Sequence, residues 1–215
     1  MPRRDYEVVD TWRSPGLRGT GSHDVVLDEV FVPEELTTDL YGVGMRVDTP
    51  LFRMPPYSRL AFNKVGVATG IARAALDAFV ELATEKKPLT SMSLLRERPQ
   101  AQLAIAEAEA RLRAARAFVF EAVTHVFDVA AAGEEATLHE QAMVRLACSH
   151  CCAEAVRAVD VVLAQAGMSA LTPDRPLERC GRDVRVVPQH VTVAPSAFQD
   201  AGRVLLGLDP QSIIF

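Results

Sequence analysis

Gln100-Ala101-Gln102-Leu103-Ala104-Ile105-Ala106-Glu107-Ala108-Glu109-Ala110-Arg111-Leu112-Arg113-Ala114-Ala115-Arg116-Ala117-Phe118-Val119-Phe120-Glu121-Ala122-Val123-Thr124-His125-Val126-Phe127-Asp128-Val129-Ala130-Ala131-Ala132 runs without a proline or a glycine. Leu103, Ala106, Ala110, Leu112, Ala115, Phe118, Val119, Ala122, Val126 and Val129 recur at helical spacing, so the stretch reads as one long helix with an apolar face. Glu107, Glu109, Arg111, Arg113 and Arg116 read as its solvated side, with opposite charges one turn apart. Pro99 precedes the helix and Gly133 stops it.

Two comparable segments flank it. Leu60, Val65, Ala68, Ile71, Ala72, Ala75, Leu76, Phe79 and Leu82 predict a helix from Tyr57 to about Glu85. Lys86-Lys87-Pro88 ends it, because cations suit a last turn and proline cannot continue it. Residues 88–99 read as a polar loop, with Arg96-Glu97-Arg98 as solvated charge. A further helix is predicted from about Thr137 to just before Gly167, with Thr137 as N-cap and Glu140 as its capping-box partner. Residues 195–206, bounded by Pro195 and Gly207, predict a short final helix. Prolines at 173, 176 and 188 make 168–194 read as irregular. Long alanine-rich helices joined by short loops imply a mainly α fold, an up-and-down four-helix bundle of antiparallel helices.

A short β fragment precedes the bundle. Trp12-Arg13-Ser14-Pro15-Gly16-Leu17-Arg18-Gly19-Thr20-Gly21-Ser22-His23-Asp24 is a glycine-punctuated turn. Tyr6 and Val8 before it, and Val26, Val30 and Val32 after it, predict two strands, the second ended by Pro33. Prolines 50, 55 and 56 and glycines 42 and 44 mark a connecting loop. The expected division is residues 1–35 as the end of a β domain, 36–56 as a linker and 57–215 as the bundle. Two strands cannot bury a sheet face alone, so they need the bundle or a partner to cover them.

The chain has 215 residues, 49% hydrophobic and 24% charged, with a net charge of −5, so it has no basic surplus to favour nucleic acid. It has neither an apolar run long enough to span a bilayer nor the apolar core of a signal peptide, which leads to a cytoplasmic expectation without a membrane partner. Cys148-Ser149-His150-Cys151 has the spacing of a metal or redox motif, but no second cluster accompanies it. Cys148, Cys151 and Cys152 therefore read as small buried hydrophobes. His23, His125, His139 and His150 have no partners at ligand spacing.

Two sets of residues resemble a known family. The first is Asp10-Thr11-Trp12 through Gly16-Leu17-Arg18-Gly19-Thr20-Gly21-Ser22-His23-Asp24 to Val30-Phe31-Val32-Pro33. The second is Pro176-Leu177-Glu178-Arg179, Arg182-Asp183, Gln189-His190-Val191 and Gly202-Arg203-Val204-Leu205-Leu206-Gly207. Both, with three long helices between them, resemble the acyl-CoA dehydrogenase superfamily: the end of its middle β domain followed by its C-terminal helical bundle. The GLRGTGS wording is closest to the flavin-dependent two-component monooxygenase branch. Family members carry an N-terminal helical domain and a fuller β domain before these motifs. The resemblance thus implies a fragment, a misplaced gene start or one half of a split enzyme.

The resemblance also implies site residues. His190, after the Arg-Asp pair, would lie near a flavin ring, as a general base toward a phenol or amine or as a hydrogen-bonding group. Read from its surroundings alone, it is a histidine satisfied by nearby backbone. Arg59, at the start of the first long helix, would face the flavin, or is an exposed helix-start arginine. Gly167 and Ser169 resemble the glycine turn that approaches the flavin phosphate or adenine, although a helix C-cap explains Gly167 equally well. Gly19-Thr20-Gly21 lacks the lysine and the following helix of a phosphate loop and reads as a tight turn. Arg179 and Arg182-Asp183 read as a charge network holding the 170–190 loop. No glutamate occupies the 183–200 stretch and Asp183 belongs to the Arg-Asp pair, which argues against simple acyl-CoA oxidation; Glu81, Glu85 and Glu121 are the remaining candidates for an α-proton-abstracting carboxylate.

The implied function is an oxygenase component using reduced flavin (FMN or FAD) and O2 to hydroxylate a small organic substrate, supplied by a flavin reductase. The alternatives are an acyl-CoA dehydrogenase with FAD and electron-transferring flavoprotein, or a non-catalytic oligomerisation or partner subunit. Self-association into a homodimer or homotetramer is expected in each case.

Overall fold

Alanine sets the spacing of this bundle. In the computed structural model, which describes residues 2–37, 47–89, 91–173, 175–212 and 214–215, three long helices meet along seams of small side chains. These are α2 (Pro56–Glu85), α3 (Pro99–Ala131) and α4 (Leu138–Ala166). A four-residue helix, α1 (Pro50–Arg53), leads into α2, and α5 (Pro176–Val186) and α6 (Ser196–Leu205) complete the bundle. The fold is mainly α, as expected.

The buried positions of α2 include Ala61, Val65, Ala68, Ala72, Ala75, Leu76 and Phe79. Those of α3 are Ala101, Ala104, Ala108, Leu112, Ala115, Val119, Ala122, Val126 and Ala130, spaced by three or four as a helix-packing seam requires. The first half of this seam differs from expectation. Leu103 is 69% exposed, and Ala106 and Ala110 also face outward. The close approach of α3 to its neighbours admits alanine on that face and excludes the larger leucine. α4 packs against both α2 and α3, so its buried positions extend around more of the helix than those of α3.

The predicted ends hold. Lys86 follows the last residue of α2, and Gly133, at φ +80°, follows α3. Thr137 and Glu140 form the capping box of α4: the Thr137 amide donates to Glu140 Oε2 (2.7 Å) and the Glu140 amide donates to Thr137 Oγ1 (3.3 Å). Glu140 Oε1 also lies 2.6 Å from His125 Nε2, tying α4 to α3.

Two expectations are corrected. Residues 176–186 are helical, because Pro176 occupies the first turn, where its missing N–H costs nothing, and Pro188 lies beyond the last. The strands are short: β1 (Glu7–Val9) pairs antiparallel with β2 (Asp24–Val26), Val8 opposite Val25. The strand pairing stops well before Pro33, and Glu29 adopts a left-handed φ of +47° that breaks the extended run. Of the expected linker, residues 38–46, with Gly42 and Gly44, lie outside the described residues.

Charge joins the long helices across their wet edges. Glu154 of α4, 6% exposed, accepts from Arg111 of α3 (2.8 Å) and from Arg157. Burial pushes the Glu154 carboxyl up, and the two guanidiniums outweigh that, leaving it below its usual 4.5. A carboxyl whose pKa falls on folding stabilises fully above its unfolded value and loses that contribution as pH drops through the folded one. Glu109 and Glu140 are shifted the same way, by Arg73 and by Thr137 with His125. Urea midpoints should therefore be flat near neutrality and fall below about pH 4.5. Glu154→Gln should lower stability by about 1 kcal/mol and flatten that acid slope.

Candidate functional site

The two N- and C-terminal motifs meet. Asp183 of α5 accepts the backbone amide of Leu17 at 2.7 Å, and Arg182 donates to the carbonyl of Pro15 at 2.7 Å, linking residues more than 160 positions apart. Gly16 sits between these contacts. A Cβ there would lie 2.4 Å from the Arg182 carbonyl oxygen and 2.9 Å from the Asp183 Cα, so only glycine permits this approach. Leu17 adopts φ +49°, a left-handed conformation that costs a branched side chain about 1–3 kcal/mol. It is held there because its amide binds Asp183 while its carbonyl accepts from Trp12 Nε1 (3.1 Å) and the Thr20 amide (3.1 Å). The Arg182–Asp183 pair thus anchors the N-terminal turn to α5. Arg182 is itself fixed by Glu178, one turn away at 2.6 Å.

This docking creates a groove of about 860 Å³ between the turn, α5 and the C-terminal end of α4, lined by Trp12, Pro15, Gly167, Leu171, Arg185 and Gln189 among others. Its walls are largely apolar, with arginines at the edge, the balance common to cofactor and small-molecule sites.

His190 follows α5, beyond a single 3-10 turn (Val187–Gln189), and is exposed, next to Gln189 of the groove. Its Nδ1 accepts the Thr192 amide (3.3 Å) and lies 2.9 Å from Thr192 Oγ1, which also reaches the Leu60 carbonyl of α2 (3.3 Å). An Nδ1 that accepts places the neutral ring's proton on Nε2. Partial burial and the nearby Lys64 ammonium hold its pKa below the usual value, so the ring is neutral near pH 7. That state donates a hydrogen bond from Nε2; it does not present a free base there.

Arg59 lies in the first turn of α2, its guanidinium 5.3 Å from the Phe52 ring centre, with Nε buried and without a partner among the described residues. Gly167 is the C-cap of α4, at φ +56° and ψ −142°, a region closed to other residues without strain. Ser169 Oγ accepts from Lys86 Nζ (2.9 Å), which also donates to the Ala166 carbonyl (2.6 Å). Lys86 is therefore a cation bound to the negative end of a neighbouring helix.

The four residues expected at the site form two groups, with the groove running between Gly167 and Gln189, next to His190. Arg59 and Lys86 stand at opposite ends of α2, roughly 40 Å apart at 1.5 Å per residue. His190, tied to Leu60, belongs with Arg59; Gly167 and Ser169, tied to Lys86, lie at the far end. Glu81 and Glu85 are also at that far end, around a smaller cavity with Arg175 and Pro176. The sequence reading missed Trp12 and Gln189 as groove residues, Thr192 as the partner of His190, and Lys86 as more than a helix stop. For Lys86 the lysine pair after α2 was a visible signal; for Thr192 there was none, since its contact is tertiary.

The cysteines are free and buried. Burial drives the Cys151 and Cys152 thiols up to about 11 and 12, and that of Cys148 higher still, so thiolates are strongly disfavoured. Among the described residues no helix is long and apolar enough to cross a membrane.

Comparison with known proteins matches residues 64–195 to the family described as acyl-CoA dehydrogenase, C-terminal domain. Indole-3-acetate monooxygenase of Pseudomonas putida is 35% identical over 98% of this chain and 54% of its own length. The flavin-dependent monooxygenase oxygenase subunit HsaA of Rhodococcus jostii is 29% identical over 91% of this chain and 53% of its own. XiaF from Streptomyces sp., solved in complex with FADH2 and glycerol, superposes with a TM-score of 0.87 at 26% identity, over 99% of this chain and 56% of that one. The chain spans about half the length of the curated relatives it matches. With a family model covering residues 64–195 and the same helical order throughout, the chain belongs to the acyl-CoA dehydrogenase C-terminal domain family.

Proposed function

We propose that this chain is the flavin- and substrate-facing half of an oxygenase component in a two-component flavin-dependent monooxygenase. The observation that carries the reading is the junction of the two motifs, Leu17 on Asp183 and Pro15 on Arg182, which forms the groove. The relatives named above, a monooxygenase and an oxygenase subunit, support it. The flavin is read as FAD, after the FADH2 in the Streptomyces relative. A flavin reductase as partner follows from the oxygenase-subunit relative. Self-association into a dimer or tetramer is read from the exposed apolar side chains of the bundle, among them Leu103 and Phe120 of α3 and Val80 of α2.

The residues present fit a flavin. The groove has apolar walls for a planar ring system, with Arg182 and Arg185 among its lining residues for anionic groups. A bound reduced flavin supplies the oxygen-activating chemistry. The chain's own residues do the rest. The groove walls exclude water, Arg185 contributes fixed positive charge, and neutral His190, next to Gln189 of the groove, offers its Nε2–H as a positioned donor to substrate or cofactor.

The test is anaerobic titration with reduced FAD and reduced FMN, followed through the emission of Trp12, the chain's single tryptophan and a groove residue. Saturable quenching, tighter for FAD, is the expected result, and Arg185→Gln, at a groove-lining residue, should weaken binding about tenfold. Linear, non-saturating quenching for both flavins would leave a non-catalytic partner role and end the oxygenase reading for this chain.

A further inference from the structure

Arg145 of α4 is 2% exposed, a depth at which an arginine ordinarily has a carboxylate beside it. Among the described residues it has none in ion-pair contact. Its nearest acid, Asp200 of α6, acts on it at a distance and uses Oδ1 to accept the backbone amides of Gln211 (3.0 Å) and Ser212 (3.3 Å). Arg145 Nη1 donates to the Ile214 carbonyl, the Phe215 ring centre lies 5.8 Å from its Cζ, and its Nε has no partner among the described residues. One turn along the same face of α4, Ser149 Oγ is likewise buried, with its residue 1% exposed, and has no partner among the described residues. A guanidinium presents five N–H donors in a planar fork that matches a carboxylate. Here that fork holds one carbonyl oxygen and one aromatic ring, both from the chain itself.

We propose that Arg145 and Ser149 form a receptor for a small aromatic carboxylate, closed in this structure by Ile214 and Phe215, which stand in for the ligand's oxygen and ring. The two orphaned polar atoms are the unused part of that receptor. A carboxylate would supply the second acceptor that one carbonyl cannot, and the ring contact selects an aryl acid over an inorganic anion. The receptor adjoins the start of α2. Arg145 senses Tyr57, and one turn further along, the Leu60 carbonyl receives Thr192, the partner of His190. Binding there needs no flavin, so the failure of this inference and that of the oxygenase reading are separable.

The experiment is calorimetric titration of flavin-free protein with phenylacetate, comparing the full chain with a chain lacking residues 214–215. Removing those residues should tighten binding by about tenfold or more, and phenylacetamide, the neutral isostere, should bind about tenfold more weakly than phenylacetate. Arg145→Gln in the shortened chain should abolish the gain. Equal affinity for the full and shortened chains, no binding to either, or a gain that survives Arg145→Gln would overturn the proposal. If circular dichroism shows the Arg145→Gln chain to be unfolded, Arg145→Lys replaces it. That variant keeps the charge but loses the fork, and should lose several-fold in affinity. Unchanged affinity in it would equally overturn the proposal.

Discussion

Gly16→Ala is expected to release the N-terminal turn from α5 and erase the groove while leaving the helices intact. The added methyl would meet main-chain atoms of Arg182 and Asp183 at 2.4–2.9 Å, and a helix backbone cannot move aside as a side-chain tip could. Overpacking of this kind costs about 1–3 kcal/mol. Separation also loses two hydrogen bonds in which one partner is charged, each worth about 1.5–3 kcal/mol. Leu17 then has no reason to remain left-handed. Trp12, whose indole donates to the Leu17 carbonyl, reports the change directly. Its emission should shift to the red and become easier to quench with acrylamide, far-UV circular dichroism should be unchanged, and flavin affinity should fall at least tenfold. Gly19→Ala is the control: nothing lies within 4 Å of its Cβ position, so it should behave as the parent. Native-like Trp12 emission from Gly16→Ala would show that the turn is not held by this approach.

Phe79→Ala should be the most damaging single change to stability, about 3–5 kcal/mol by urea unfolding. Phe79 of α2 is 1% exposed and among the largest side chains fully enclosed in the core. Its surroundings decide the size of the loss. The neighbouring positions of the seams are mostly alanine, which has no rotamer with which to fill a void, and the rigid helices cannot close on it. Phe31→Ala, at a site 87% exposed, should cost less than about 0.5 kcal/mol. Comparable losses at both positions would mean that the seam relaxes more readily than its packing implies.

The three long helices were legible in the sequence because their apolar period runs for eight turns or so and their ends carry specific chemistry: Thr137 with Glu140, Gly133, and Pro88 after two lysines. The face of α3 was legible only in its C-terminal half. In the N-terminal half, Leu103 is more hydrophobic than Ala101 or Ala104, yet the gap between helices fits only the smaller residue. α5 is hidden in the sequence because prolines at 173, 176 and 188 read as breakers, although Leu177, Cys180, Gly181 and Val184 keep helical spacing between them. The site divides similarly. The Arg-Asp pair could be singled out, but that it binds residues 15–17 is a fact of tertiary structure. The environment of His190 depends on Leu60, far away in the chain, and Arg145 gave no local sign that it would be buried. The separation of Arg59 from Ser169 also follows from the three-dimensional path of α2 and the loops that return to its two ends.

α2 and α4 lie side by side and point the same way: Lys86 reaches Ala166 at one end, and Tyr57 neighbours Arg145 at the other. Their peptide dipoles therefore add, with about half a unit of positive charge at each leading terminus and the opposite at each trailing one, and α3, running the other way, offsets part of the sum. What is left gives the molecule a compass bearing. Lys86 sits at the trailing pole and answers its demand for a cation from within the chain.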